Sequence, residues 1–311
     1  MIMQQSISLA LGGGGARGIA HLGVLRALEE AGITPSLLVG TSMGAVIGAM
    51  FACYRDTNEV ERRIEMLVNS DFMRSTGLDS YSRSGDRIQK KGFDLLFSQL
   101  RKNMQLARVF TSAGTVPSTA LLQAMEFLID DVNIEDLSIP FCAVATDLEE
   151  GTPVLFRSGS VRTAITASAA IPGVFTPLEY DGMKLIDGAA SYLTPTPPAK
   201  EMSPAPVVAV DVSKSLDMPF PERGYGVVFR SSDIILSNYN TLLVEQADLI
   251  LRPDVAQINW ADFSQYKALI EKGYRAAQES MPAIETLLKN SRSPLRRWWS
   301  RWRQTRSTPA T

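Results

Sequence analysis

Two short runs in this sequence carry groups that could do chemistry. Gly12 to Gly18 reads Gly-Gly-Gly-Gly-Ala-Arg-Gly. A glycine-rich loop that enters a helix leaves backbone amides free to meet an anion, and the helix N-terminus adds positive potential. Gly40-Thr41-Ser42-Met43-Gly44 is Gly-x-Ser-x-Gly, the pattern that exposes a serine as a nucleophile on a sharp strand-to-helix turn. The plainer use of Ser42 is to cap the following helix.

The anion meant for the glycine loop is not a nucleotide. Gly13, Gly15 and Gly18 match Gly-x-Gly-x-x-Gly, but a dinucleotide site needs an acidic residue at the end of the second strand, where this chain has Gly40-Thr41-Ser42. A phosphate-binding loop of the Gly-Lys-Ser/Thr type is absent as well. If the first two strands are neighbours, both loops leave the same edge of the sheet about 5 Å apart, and the amides of Gly14 and Gly15 face Ser42. They are then candidates to hold the oxyanion of a tetrahedral intermediate. Gly40 and Gly44 supply the small flanks that a tight turn requires.

Ser42 also needs a base. His21 is the chain's only histidine; it falls about one turn into the helix after the glycine loop and points along the helix flank, so packing is its expected role. That leaves carboxylates, and Asp147, Asp187 and Asp211 each follow a predicted strand. Asp181-Gly182 lies between two short strands and reads as a hairpin turn. Asp187-Gly188-Ala189 comes where the returning strand ends, which favours Asp187 modestly over the others.

These residues must be positioned by alternating strands and helices. Ser6–Leu11 and Leu37–Val39 read as buried strands, with a helix between them carrying Ile19, Leu22, Leu25 and Leu28 and stopping near Gly32. Met43–Tyr54 is an uncharged, buried helix and Thr57–Val68 an amphipathic one. Alternation of this kind calls for a parallel sheet covered on both faces with right-handed crossovers. Further strands are expected at 141–146, 154–156, 178–180, 184–186 and 207–212, and helices at 118–128, 226–246 and 263–288. The stretch 71–115, with a helix predicted at 86–100, reads as a lid or a substrate-facing insertion.

Composition narrows the class. The chain has 311 residues, a net charge of −2, two cysteines and one histidine, which argues against a general nucleic-acid binder, a disulfide framework and a zinc cluster. The run from Ala31 to Tyr54 has no charged side chain and is long enough to cross a bilayer. Gly32, Pro35, Gly40 and the Thr41-Ser42 hydroxyls interrupt it, so strand, turn and buried helix are expected instead. The N-terminus lacks a basic segment ahead of its apolar one, so no cleaved signal is expected and the cytoplasm is the default location.

Taken together the motifs resemble the patatin-like phospholipase family. GGGGARG is followed by His21 and Gly23-Val24-Leu25, then GTSMGA at 40–45, ATDL at 145–148, ASAAIPGVFTP at 167–177 and DGA at 187–189, in the family's order and spacing over roughly residues 6–290. The resemblance implies a three-layer α/β/α sandwich with a mostly parallel central sheet. It implies a Ser42–Asp187 dyad that forms an acyl-serine, an oxyanion hole in the glycine loop (Gly13, Gly14, Gly15, Arg17 and Gly18), and a nucleophile elbow of Gly40, Thr41, Met43 and Gly44. It also implies hydrolysis of phospholipid or lysophospholipid acyl esters without metal or cofactor. Arg17 could instead meet a lipid phosphate, or pack across the first helix turn. In one departure, Leu193 precedes Thr194-Pro195 where family members often carry an asparagine two residues before the proline, so packing behind Asp187 can differ. A general carboxylesterase or transacylase, and a silent lipid-binding scaffold, are the competing readings.

The expected organisation is an acyl-hydrolase domain over 1–290 and a tail over 291–311. Between Thr286 and Thr311 lie seven basic residues and no acidic one, which leaves the rest of the chain at −9. Trp298, Trp299 and Trp302 fall on one side of a helical wheel with Arg296, Arg297 and Arg301 outside it, the pattern of an interfacial anchor for an anionic membrane surface. A peripheral position on the inner face of a membrane is therefore expected for a protein with no nucleic-acid partner. The oligomeric state is not legible from the sequence.

Overall fold

The structure, a computed structural model, describes residues 6–70, 116–217 and 225–290. In chain order its elements are β1 (Ser8–Leu11), α1 (Ala20–Glu30), β2 (Leu37–Thr41), α2 (Met43–Tyr54), α3 (Thr57–Val68), α4 (Ser118–Leu128), β3 (Phe141–Asp147), β4 (Pro153–Phe156), α5 (Val161–Ser168), β5 (Leu178–Tyr180), β6 (Met183–Asp187), α6 (Thr196–Met202), β7 (Val207–Val210), α7 (Tyr225–Val244), β8 (Leu249–Leu251) and α8 (Tyr266–Asn290). A 3-10 turn, Gly15–Ile19, leads into α1.

Five strands run parallel in the order β3-β2-β1-β7-β8, with β1 pairing β2 from Ser8 opposite Leu37 to Leu11 opposite Gly40. Strands β4 and β6 run antiparallel to β3, and β5 antiparallel to β6. The buried strands are continuous apolar runs because helices cover both faces. One face carries the larger core, built from α1, α2, α4, α5 and α8 against Leu9, Leu11, Leu38 and Phe141. On the other face Ala10, Val39, Val144 and Ala209 meet Ala199 of α6 and Val244 at the end of α7. This is the three-layer α/β/α sandwich with a mostly parallel sheet that the sequence led us to expect.

Element boundaries follow the sequence closely where the pattern is long. α2, α3 and α4 begin and end as read, and the uncharged run resolves into β2, the turn and α2; among the described residues no helix is long and apolar enough to cross a membrane. Asp181 and Gly182, both at positive φ, make the β5–β6 hairpin turn. Differences fall at element ends. β1 starts at Ser8, β7 stops at Val210, and the helix expected from 263 opens with a 3-10 turn, Phe263–Gln265. The sequence reading missed α5, α6 and β8, of 8, 7 and 3 residues, too short for hydrophobic periodicity to register. The helix expected at 86–100 lies outside the described residues, as does the tail.

Candidate active site

Ser42 sits between β2 and α2 with φ 54 and ψ −126, the left-handed side of the map, on a residue that is not glycine. Such a conformation is strained and is held only when the surroundings determine it. Two glycines make room for the turn. A Cβ on Gly44 would lie 2.2 Å from the Leu11 carbonyl oxygen, and one on Gly40 would lie 2.4 Å from the Ala45 Cα. The turn is pinned from outside by Ser168 at the end of α5, whose Oγ accepts from the Ser42 amide at 2.9 Å and donates to the Val144 carbonyl at 2.6 Å. Thr41 Oγ1 donates to the Tyr192 carbonyl at 2.8 Å.

Sheet register brings the carboxylate to this hydroxyl. β4 pairs with β3 over Ala143–Thr146, along one side. On the other side β2 pairs with Phe141–Val144 and ends, because the chain turns away at Ser42, and β6 takes up the pairing at Ala145–Asp147. Asp187 stands opposite Ala145, next to the slot that Thr41 fills opposite Val144. The Ser42 hydroxyl accordingly donates to Asp187 Oδ2 at 2.6 Å, and Asp187 Oδ1 accepts the Ala189 amide at 2.8 Å. Both side chains are buried. Burial pushes the Asp187 pKa from 3.8 up to about 6, against the opposing pull of its bonds to Ser42 and Ala189.

The two competing carboxylates have other partners. Asp147 Oδ1 accepts the amides of Glu149 and Glu150 in its own turn. Asp211 accepts from the Ser213 amide and the Asn240 side chain and lies 3.5 Å from Arg252. His21 is fully buried, and its Nε2 lies 2.7 Å from the Gly12 carbonyl, to which it donates. Desolvation lowers its pKa to about 4, so the imidazole is neutral and serves as a brace beneath the glycine loop.

The glycine loop runs beside the serine, and the structure narrows its expected donors. The Gly13 amide donates to the Leu193 carbonyl at 2.8 Å, so it is not free for an oxyanion, although Gly13 packs near Ser42 (a Cβ on it would lie 3.3 Å from the Ser42 Cβ). Arg17 is buried and its Nη1 donates to the Ile258 carbonyl at 3.4 Å. Burial draws its pKa down to about 10 while the charges of Asp211 and Asp233 hold it up; a guanidinium buried this far offers no open surface to a lipid headgroup. Gly18 is a spacer: a Cβ there would strike the Met43 side chain at 2.6 Å. Among the described residues, the amides of Gly14 and Gly15 have no acceptor, and neither do those of Met43 and Gly44 in the first turn of α2, where the Ser42 carbonyl is taken by Ala45 and Val46.

Three contributors were not legible beforehand. The sequence offers Met43 only as a flank of the elbow, yet its amide, next in the chain after Ser42, has no acceptor among the described residues. Ser168 comes from 126 residues away. Asn240, on α7, accepts the Thr194 amide at 3.0 Å and so fixes the segment whose Leu193 carbonyl holds Gly13. It supplies an asparagine side chain from another element near the position where Leu193 replaces the family's own.

A pocket of about 690 Å³, open mouth included, has Ser42 and Gly15 in its wall; every other lining side chain is apolar. Leu121, Ala124, Met125 and Leu128 of α4 line it at helical spacing, together with Met43 and Val46 of α2, Phe175 and Trp260. The expected membrane contacts Arg296, Arg297, Trp298, Trp299, Arg301 and Trp302 lie outside the described residues.

A family profile described as patatin-like phospholipase matches residues 9–200. An "Uncharacterized NTE family protein" of Mycobacterium tuberculosis is 34% identical over 218 residues, 70% of this chain and 50% of that protein. Patatin-like phospholipase domain-containing protein 6 of Homo sapiens is 31% identical over 209 residues, 67% of this chain and 13% of that protein. The chain thus spans half the length or less of these relatives. Among solved structures, VipD from Legionella pneumophila aligns over 92% of this chain and 67% of its own, at a TM-score of 0.46 and 14% identity. Human GIVD cytosolic phospholipase A2 with a fluorophosphonate inhibitor and terbium chloride aligns over 92% and 59%, at 0.46 and 14%.

Proposed function

The chain belongs to the patatin-like phospholipase family, and on that premise we propose that it is a serine acyl hydrolase that cleaves fatty-acyl esters of phospholipids or lysophospholipids. The observation that carries this reading is the 2.6 Å bond from the Ser42 hydroxyl to Asp187 at the wall of an apolar pocket.

In the proposed reaction the acyl chain lies in the pocket and its carbonyl carbon meets Ser42 Oγ. Asp187 takes the hydroxyl proton as the C–O bond forms. The oxyanion is held by amides of Gly14 or Gly15 and of Met43, which have no acceptor of their own among the described residues. Asp187 returns the proton to the departing alcohol, leaving an acyl-serine, and water then enters by the same route with Asp187 again as base. An ordinary carboxylate is too weak a base for a hydroxyl; burial narrows the gap by raising Asp187, and the N-terminus of α2 favours negative charge on Ser42. The basic, tryptophan-bearing tail is proposed to hold the protein against anionic lipid, and truncation after Asn290 is expected to abolish sedimentation with anionic vesicles.

The deciding experiment measures fatty-acid release from defined phospholipids and lysophospholipids, together with fluorophosphonate labelling. Wild type is expected to turn over and to label at Ser42. Ser42→Ala is expected to do neither, and Asp187→Asn to lose at least about 10³ in kcat. Labelled protein that turns over simple esters and no lipid would favour the general carboxylesterase; protein that neither labels nor turns over would make it a silent scaffold.

A further inference from the structure

The exposed side of α7 is apolar and uncharged. Of the ten large hydrophobic side chains that are exposed among the described residues, six lie on this one helix: Val227, Val228, Ile234, Ile235, Tyr239 and Leu242. The other four, Met66, Phe127, Leu148 and Tyr180, stand singly on separate elements. Between the six lie exposed Ser231, Ser232, Asn238 and Thr241, and no fully exposed charged side chain. The helix's two charged residues are half-buried and turned to the body of the protein, where Arg230 donates to the Leu216 carbonyl and Asp233 pairs with Lys214. The opposite side of α7 is anchored by buried Asn240, Leu243 and Val244. A contiguous apolar strip of this length on a soluble surface marks an interface.

We infer that this strip pairs with the same strip of a second copy of the chain, the two α7 helices running antiparallel about a two-fold axis at Ile235. Ile235 is the most exposed of the six, at 69%, and it lies at the midpoint of a helix of 20 residues. An axis there sets Ile235 against its own mate and overlaps the helices over their full length, as a self-complementary contact requires. Counting seven residues each way puts Val228 opposite Leu242; counting four puts Ser231, which is small, opposite Tyr239, which is large. Val228, Ile235 and Leu242 form the seven-residue stripe of a packed antiparallel pair.

Area and charge favour a second copy over other occupants. Side chains of this size at these exposures offer roughly 100 Å² each, so a pair buries at most about 1,200 Å² through them, which reaches the low end of stable specific interfaces when all six are covered. A helix that lies in a lipid interface carries free lysine or arginine on its flanks; beside this strip Arg230 and Lys214 are half-buried and already engaged, by the Leu216 carbonyl and by Asp233. For the basic tail α7 offers only Asp233, which is already paired with Lys214.

Sedimentation of the full chain across a dilution series tests the proposal. Wild type is expected at twice the 34.0 kDa of one chain, and Ile235→Glu and Leu242→Glu as monomers whose dimer dissociation constant rises at least about 100-fold. Circular dichroism and ester turnover check that these variants fold, and since none touches Ser42 or Asp187, failure of the hydrolase reading leaves the sedimentation result standing. Mild oxidation supplies an independent readout with the folded dimer. Ile235→Cys should cross-link to itself, whereas Val228→Cys and Leu242→Cys should cross-link only when mixed. A monomeric wild type at 100 μM, a dimer indifferent to Ile235→Glu, self-linking of Val228→Cys, or binding of wild type but not Ile235→Glu to neutral vesicles would each overturn it.

Discussion

At the scale of single residues the proposed base, Asp187, should show its protonation in both turnover and stability. With burial holding its pKa at about 6, kcat/KM for a neutral ester is expected to rise with pH and reach half its plateau near 6, with no second limb from His21; a stopped-pH series reads this directly. The stability effect has the opposite sense. A carboxyl whose folded pKa is raised above 3.8 favours the fold fully below pH 3.8 and loses that contribution as pH rises through 6, so the buried charge costs about 3 kcal/mol at pH 8. Asp187→Asn, which also weakens the acceptor for the Ser42 hydroxyl, is expected to be more stable than wild type by about 1–3 kcal/mol at pH 8 and equal to it near pH 4. Urea midpoints at the two pH values check the prediction, and equal midpoints at pH 8 would refute it.

At the scale of elements, the proposed acyl site makes α4 the element expected to set how far a chain can enter. Its side chains at i, i+3, i+4 and i+7, Leu121, Ala124, Met125 and Leu128, form one wall of the pocket opposite α2. Ala124 is the small member of that wall. Adding three carbons there should shorten the accommodated acyl chain by about two to three methylenes, each methylene being worth about 0.8 kcal/mol of burial. Ala124→Leu is therefore expected to lower kcat/KM for long-chain esters by about 10-fold or more while leaving butyryl esters within two-fold; a p-nitrophenyl ester series from four to sixteen carbons measures it. Loss for all lengths equally would mean that the pocket is not the acyl site. The same scale explains why Ser42, Asp187 and the glycine loop are held so firmly. Each ends a different strand of one sheet, and α5, α7 and the segment 191–194 tie those ends together through Ser168, Asn240 and the carbonyls of Tyr192 and Leu193.

Over the whole molecule, two buried titratable groups on neighbouring layers work against one another. His21 is neutral in the fold with a pKa of about 4 instead of 6.5, so its contribution is present above pH 6.5 and is lost as pH falls through 4, about 3 kcal/mol in all. Asp187 gains stability over nearly the same interval as the pH falls from 6. Wild type should therefore change little from these two groups between pH 6.5 and 4, whereas Asp187→Asn retains only the histidine effect and should lose about 3 kcal/mol relative to its own value at pH 7. Denaturant midpoints for the two proteins, with the imidazole followed by NMR, test this; an imidazole that titrates near 6.5 would contradict the buried brace.

Much of this protein was fixed by neighbours along the chain. Gly40 to Gly44 must turn sharply wherever it lies, Gly12 to Gly18 must present amides, and the alternation of apolar strand and amphipathic helix through Val68 admits little besides a covered parallel sheet. Short-range sterics and periodicity act within a few residues and need no tertiary context. The choice among Asp147, Asp187 and Asp211 was of another kind, because the deciding fact is that β6 resumes pairing on β3 where β2 leaves it. The engagement of Gly13 by Leu193, the brace roles of Arg17 and His21, and the arrival of Ser168 and Asn240 likewise depend on groups far apart in sequence. Only packing of the sheet and its helices determines which of those distant groups meet, and therefore which polar atoms are satisfied and which remain free for a substrate.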